Sequence, residues 1–164
     1  MLKKLFVMAI VALVPFTASA QFEQGKIYVG ASLTGLNLSY SSSEKLGVGL
    51  QAQAGTFVTD NMLLYGLAGW NHRGESLGGD QVDLGVGGRY YMLQNGIFLG
   101  ANCKYVHAAG GYNDVMPGLE VGYAFFLSRT VTVEPAVYYQ QSFKDHGDFS
   151  KVGIRVGLGI YLFP

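Results

Sequence analysis

Cysteine is all but missing from this chain. Cys103 stands alone, so no internal disulfide can staple the fold. Charge is scarce and balanced, with 11 basic and 11 acidic residues among 164. Without a basic excess, nucleic acid is not an expected partner. Proline occurs only four times. Beyond Val14 no apolar run approaches the ~20 residues that a membrane-spanning helix requires. No helical period follows the first twenty residues either. What the chain has instead is glycine, 24 residues, and ring side chains, with 11 tyrosines and 10 phenylalanines.

The N-terminus stands apart. It carries Lys3 and Lys4, an apolar run from Leu5 to Val14, and then Ala18-Ser19-Ala20. A basic start, a short apolar run and a small-residue end form, in that order, a secretory signal peptide. Residues 1–20 are therefore expected to be cleaved, leaving 21–164 as one domain. No Cys follows Ala20, so a lipid-anchored N-terminus is not expected.

The remaining chain reads as about eight alternating segments separated by turn signals, the pattern of an all-β barrel or sandwich. Apolar sets of one parity are Ile27 to Leu33, Leu46 to Ala54, Val82 to Met92 and Ile97 to Tyr105. Leu119 to Leu127, Val131 to Tyr139 and Val152 to Leu162 continue them. Residues 62–70, MLLYGLAGW, fit either parity, and Leu63, Tyr65 and Leu67 are taken as their apolar set. The connections alternate in length. Those at 57–61, 95–96 and 128–130 are short, and those near 39–45, 71–80, 107–117 and 142–150 are longer and polar. Asn95-Gly96 suits a two-residue type I′ hairpin, which sets Arg89 opposite Asn102 and Tyr90 opposite Ala101.

Asp83, Arg89, Lys104, Glu120, Glu134 and Arg155 are the charges within the strand cores, and all six fall on the parity opposite the apolar one. A soluble sheet would turn that polar parity to water and furnish it with Lys and Glu, above all on its edges. Here it carries mostly Gly, Ala, Ser, Thr, Gln and aromatics. Glycine weakens a wet strand, but it suits the interior of a narrow eight-stranded barrel, which side chains must fill. The apolar parity is therefore expected to face lipid and the polar parity the lumen. On the lipid side Tyr65, Tyr90, Tyr105, Tyr123, Tyr139 and Phe125 are expected near the interfaces as aromatic girdles. Closure also satisfies every backbone group without an open edge. Pro135 lacks an N–H within such a ladder, so a bulge or an unpaired carbonyl is expected beside it.

On this pattern the chain resembles the small eight-stranded outer-membrane proteins of Gram-negative bacteria, the OmpX-like and OmpA transmembrane-domain-like barrels, over essentially all of residues 21–164. The end of the chain carries the most specific likeness. Arg155, Gly157, Ile160 and Leu162 fit the polar-x-Gly-x-x-apolar-x-apolar signal that such proteins present to the barrel-assembly machinery. The family commonly ends on Phe, and this chain departs from it with Phe163-Pro164. The resemblance implies an all-β, antiparallel, up-and-down transmembrane barrel in the cell outer membrane, in contact with lipid and lipopolysaccharide. It implies a monomer with a structural or surface-interaction role, though some barrels of this size modify lipid.

The chain offers little chemistry. His72, His107 and His146 fall near the longer loops, with no H-x-x-x-H spacing and no partnered strand Ser. Asp145, His146 and Asp148 form at most a weak cation site. Cys103 belongs to the lipid parity and reads as a small hydrophobe. The glycine runs lack the G-K-[ST] of a phosphate loop. No cofactor, no metal and no enzymatic activity are expected. The six lumenal charges are the distinctive constellation, read as a paired network that cross-links the wall, because buried charges must pair. Three alternatives stay open: a small ion or solute channel, a lipid-modifying enzyme, and a soluble exported barrel holding an apolar ligand with its faces reversed.

Overall fold

The computed structural model describes residues 22–36, 48–72, 80–92, 96–108, 111–144 and 150–162. The expected signal peptide, the 1–20 boundary, Leu46, Asn95, Asp145, His146, Asp148 and the terminal Phe163-Pro164 lie outside these residues. Nine segments are present: β1 (Ile27–Leu36), β2 (Val48–Thr59), β3 (Met62–His72), β4 (Asp80–Tyr91), β5 (Ile97–Ala108), β6 (Tyr112–Tyr123), β7 (Phe125–Phe126), β8 (Val131–Gln140) and β9 (Lys151–Leu162). β6 and β7 are one strand interrupted at Ala124, since the register with β8 is the same on both sides, Gly122 with Ala136 and Phe125 with Val133. Every neighbour is antiparallel, and β1 pairs with both β2 and β9. The result is a closed, eight-stranded up-and-down barrel. Among the described residues no helix is long and apolar enough to cross a membrane, which says nothing of strands.

Side chains alternate between two faces because the strand period is two. Leu84, Val86, Leu119 and Leu158 stand on the outside, each more than half exposed, while Asp83, Arg89, Glu120 and Glu134 point inward at 2% exposure. The distribution is inverted relative to a soluble barrel, where the apolar side is the buried one. Exposed rings cluster towards both ends of the wall. Trp70, Tyr105 and Tyr139 lie near the C-terminal ends of β3, β5 and β8, at one end of the wall. Tyr90 lies at the other end, where Tyr123 and Phe125 pack with ring centroids 4.3 Å apart.

Three expectations need correction. First, Leu63, Tyr65 and Leu67 face the lumen, and Met62, Leu64 and Trp70 face out. Both parities of β3 are apolar, so hydrophobicity could not choose between them. The ladder decides: Leu63 pairs with Arg89 and Gly69 with Asp83, so the odd residues share the face of those charges. Second, Arg89 pairs with Gly100 and Tyr90 with Leu99. β4 ends at Tyr91 and β5 begins at Ile97, and Met92 N–H donates to Ile97 O at 2.8 Å. The two-residue displacement leaves every side chain on its expected face, as an even shift must. Third, most of 107–117 is strand. β5 runs to Ala108 and β6 begins at Tyr112, so one of the four expected long loops is short. The interruption expected at Pro135 is present on one side only: the ladder from Pro135 to β9 is unbroken, with Pro135 opposite Val156. The interruption lies on the β6–β7 side, where the missing N–H coincides with the break at Ala124.

One end of the lumen is closed by rings. Phe22 lies before β1 and is fully buried. It stacks on Tyr91 at 4.0 Å and lies within 6.0 Å of Phe57, Phe126 and Tyr161. Backbone bonds hold this hook: Asn61 N–H donates to Phe22 O at 2.7 Å and Gly25 N–H to Phe57 O at 2.8 Å. Gly25 has φ +88°, a left-handed conformation that glycine adopts without penalty.

Candidate functional site

Above the rings the lumen is polar. Its geometry follows from the ladder. Arg89 on β4, Gly100 on β5 and Glu120 on β6 form one cross-strand row. A Cβ on Gly100 would collide with the Glu120 side chain, so the glycine leaves the gap over which Arg89 and Glu120 meet. Gly69 does the same in the row Gln51–Gly69–Asp83, where its missing Cβ makes room for the Asp83 carboxylate. This is the local use of glycine in these strands: small positions alternate with long polar side chains that fill the bore.

Arg89 is the hub. Its Nε donates to Glu120 Oε1 at 2.7 Å, and Nη1 donates to Glu134 Oε2 at 2.8 Å and to the Tyr28 hydroxyl at 3.1 Å. Nη2 donates to Gln53 Oε1 at 2.8 Å. The guanidinium also lies over the rings of Phe98, Tyr65 and Tyr28, at 4.6, 5.2 and 5.4 Å. Glu134 accepts further bonds from Tyr28 Oη (2.8 Å), Tyr161 Oη (2.9 Å) and Thr132 Oγ1 (2.8 Å). Glu120 is shared: Arg155 Nη2 bonds its Oε2, and Tyr65 Oη donates to Oε1 at 3.4 Å. Lys104 Nζ lies 3.5 Å from Asp83 Oδ2 and donates to Gln51 Oε1 at 3.0 Å. Asn71 Nδ2 donates to Asp83 Oδ1 at 3.0 Å. Three cations thus face three carboxylates, and their charges cancel. Carboxylates with several donors each, and guanidiniums with acceptors on both sides, are what make buried ions tolerable.

The six expected charges all point into the lumen. Five of them are at least 95% buried, and Lys104 borders a cavity of ≈ 30 Å³ with Gln51, Asn102, Gln140 and Arg155. Of the expected assembly signal, Arg155 and Gly157 face inward and Ile160 and Leu162 outward. His72 and His107 are on the outer face, at 2.6 Å from Asp80 and Asn113 respectively. Among the described residues no group of three or more His, Cys, Asp or Glu could hold a metal. Cys103 is exposed on the outer wall.

Sequence reasoning missed two interior ions. Asp114 is buried in β6 and accepts from the Ser142 hydroxyl and from Val115 N–H. Placed in an expected loop, it had no parity to give it away. Lys26, 3% exposed, sits in the N-terminal hook, 3.4 Å from Glu23. The ring cluster was missed as a unit as well. Its members, Phe22, Phe57, Tyr91, Phe126 and Tyr161, come from five separate segments and no local spacing links them.

No protein-family model matches the chain, and no curated protein sequence matches it. Solved structures do. The N-terminal β-barrel domain of Pseudomonas aeruginosa OprF superposes with a TM-score of 0.65 at 11% identity, covering 85% of this chain and 98% of that one. The outer membrane protein OprG from Pseudomonas aeruginosa gives 0.60 at 12%, over 89% of this chain and 100% of that one. A de novo designed transmembrane β-barrel gives 0.57 at 16%, over 85% and 98%. At these identities the likeness is one of fold. By fold, the chain is a small eight-stranded barrel of the kind found in bacterial outer membranes.

Proposed function

We propose that this chain is an integral outer-membrane barrel with a structural or surface-interaction role, and that its lumen is sealed and does not conduct. The inversion of faces carries this reading. Leucine, valine and isoleucine side chains cover the outer wall, and the strand charges form a closed network inside. In water such an outer wall would drive aggregation. In hydrocarbon it is the stable arrangement, because closed strands leave no backbone group unsatisfied. The same inversion disfavours a soluble barrel with an apolar ligand inside. The two bands of exposed rings match the girdles that flank the apolar belt of such barrels.

The partners that fit are membrane lipid and lipopolysaccharide, and, during biogenesis, assembly machinery reading Arg155, Gly157, Ile160 and Leu162. The barrel acts as a monomer and needs no cofactor. Catalysis is not part of this reading: the described histidines bond to Asp80 and Asn113 on the outer face. The test has two arms. The protein should need detergent for extraction and should change gel mobility on boiling. In planar bilayers it should give no discrete current steps. Recovery in a detergent-free soluble fraction would overturn the membrane reading, and regular conductance steps would overturn the sealed lumen.

A further inference from the structure

The lumen is not closed alike along its length. Among its inward-facing side chains, Asn71, Asn102, Lys104 and Tyr138 are half-buried, and all four border the cavity of ≈ 30 Å³. The cavity lies towards the end of the wall that carries Trp70, where Asn71 and Gln81, both on its lining, are the last inward pair of β3 and β4. Deeper in, Gln53, Arg89 and Glu134 are only 4%, 2% and 2% exposed. The gap that these three border with Ser32 is too narrow for a water molecule. Gln51 and Gln53 are successive inward residues of β2, ~7 Å apart at the usual strand rise. Gln51 lines the cavity and Gln53 does not, so the boundary falls between them.

The cavity has the chemistry to seat water at its floor. Gln51 is 5% exposed, and its Nε2 has no hydrogen-bond partner among the described residues. Lys104 sets the orientation of that amide by donating to Oε1, and turning it round would set a donor against a cation. Asp83 lines the same cavity. It accepts from Asn71 at one oxygen and faces Lys104 at the other, and an ionised carboxylate has room for about four donors. Gln51 and Asp83 flank Gly69 in one cross-strand row, so the unpartnered donor and the acceptor stand on one side of the cavity. Around it Lys104 and Arg155 balance Asp83 and Glu120. An ion of either sign would upset that balance. A neutral molecule that both accepts and donates would not, and ≈ 30 Å³ is about the share of one water in the liquid.

We propose that the lumen is a blind well. Water enters from the Trp70 end, passes Asn71 and Asn102 and stops at Gln51, where one molecule accepts from Gln51 Nε2 and donates to the Asp83 carboxylate. Below it the network of Arg89, Glu120 and Glu134 is dry. The well rests on the sealed lumen of the proposed function and adds where the seal begins. Gln53 Nε2 and Ser32 Oγ, which also lack a partner among the described residues, lie on the dry side, because the gap beside them admits no water.

The test follows the side-chain amide protons of the two glutamines in the unaltered, detergent-folded barrel. Their NMR signals are assigned by through-bond correlation and timed after transfer to heavy water. The Gln51 Nε2 protons should exchange ~100-fold faster than those of Gln53, whose exchange must wait for the barrel to open. In ordinary water the Gln51 amide, and not the Gln53 amide, should show a cross-peak to bound water, and a crystal structure should place that water between Gln51 Nε2 and Asp83. Slow exchange at both glutamines would make the cavity dry and overturn the well while leaving the sealed lumen intact. Equally fast exchange at both would carry water past Gln53 and overturn the boundary. Discrete bilayer currents would instead strike the sealed lumen itself, so the two failures are distinguishable.

Discussion

Removing the Arg89 side chain tests the lumenal network, because its two acids lose unequal things. Consider Arg89→Met, which keeps much of the stem and deletes the charge. Glu134 loses its only cation among the described residues and keeps three hydroxyl donors, Tyr28, Tyr161 and Thr132. Glu120 loses one guanidinium and keeps another, Arg155. Breaking a buried pair from one side typically costs ~3–5 kcal/mol, because a charge is left desolvated and unmatched. Arg89 is 2% exposed and serves two carboxylates, so the full range applies. The second substitution separates the acids. Arg89→Met with Glu134→Gln removes the orphaned charge and should recover more than half of the loss. Arg89→Met with Glu120→Gln strips Arg155 of its carboxylate and should recover little. The assay is reversible urea unfolding in lipid vesicles, followed by the fluorescence of Trp70, the chain's single tryptophan, which faces outward. A loss under ~1 kcal/mol, the scale of an exposed ion pair, would mean that water reaches the network. Equal rescue by the two acids would refute the pairing.

Three further outcomes are expected. Val86→Arg, Leu99→Arg and Val156→Arg should each destabilise the barrel by ~2–4 kcal/mol near mid-bilayer, and Asn102→Gln far less; equal tolerance in vesicle unfolding would reverse the faces. Phe22→Ala should cost about 3 kcal/mol, the low end of the ~3–5 for a buried ring, because the hook can withdraw; a loss below ~1 kcal/mol would show that Phe22 does not plug the barrel. The longer connections should face outside the cell, so a thiol label on intact cells should reach Gly78→Cys and not Asp60→Cys, and the opposite pattern would invert the topology.

The fold was legible because two signals agreed. Alternation marked the strands, and the charges gave a parity that hydrophobicity alone would have sent to the wrong side. Where neither signal chose a parity, the reading failed. MLLYGLAGW has no charge, so nothing in it says which parity is inside; its neighbours' register does, through Gly69 with Asp83. The β4–β5 register failed for a related reason. Asn-Gly is a strong hairpin signal when strands run right up to it, but β4 ends at Tyr91, short of Asn95-Gly96. The faces survived because the error was even.

The site divides in the same way. Which residues face the lumen is a local property of a strand and can be read from sequence. Which acid meets which base depends on how far each strand is displaced against the next, and that is a property of closure. Glu134 meets Arg89 from nearly opposite sides of the strand order, β8 against β4, across the bore and not along a ladder. The ring plug is further still from sequence. Phe22 precedes the first strand and shows no alternation, yet it stacks on Tyr91 from the middle of the chain. Glycine carries the part of the pairing that is local. A bulky inward side chain needs a gap on the strand beside it, so Gly100 beside Glu120 and Gly69 beside Asp83 record the pairing in the sequence. Given the right register, the glycines say where the long side chains lie down, and the charge network follows from them.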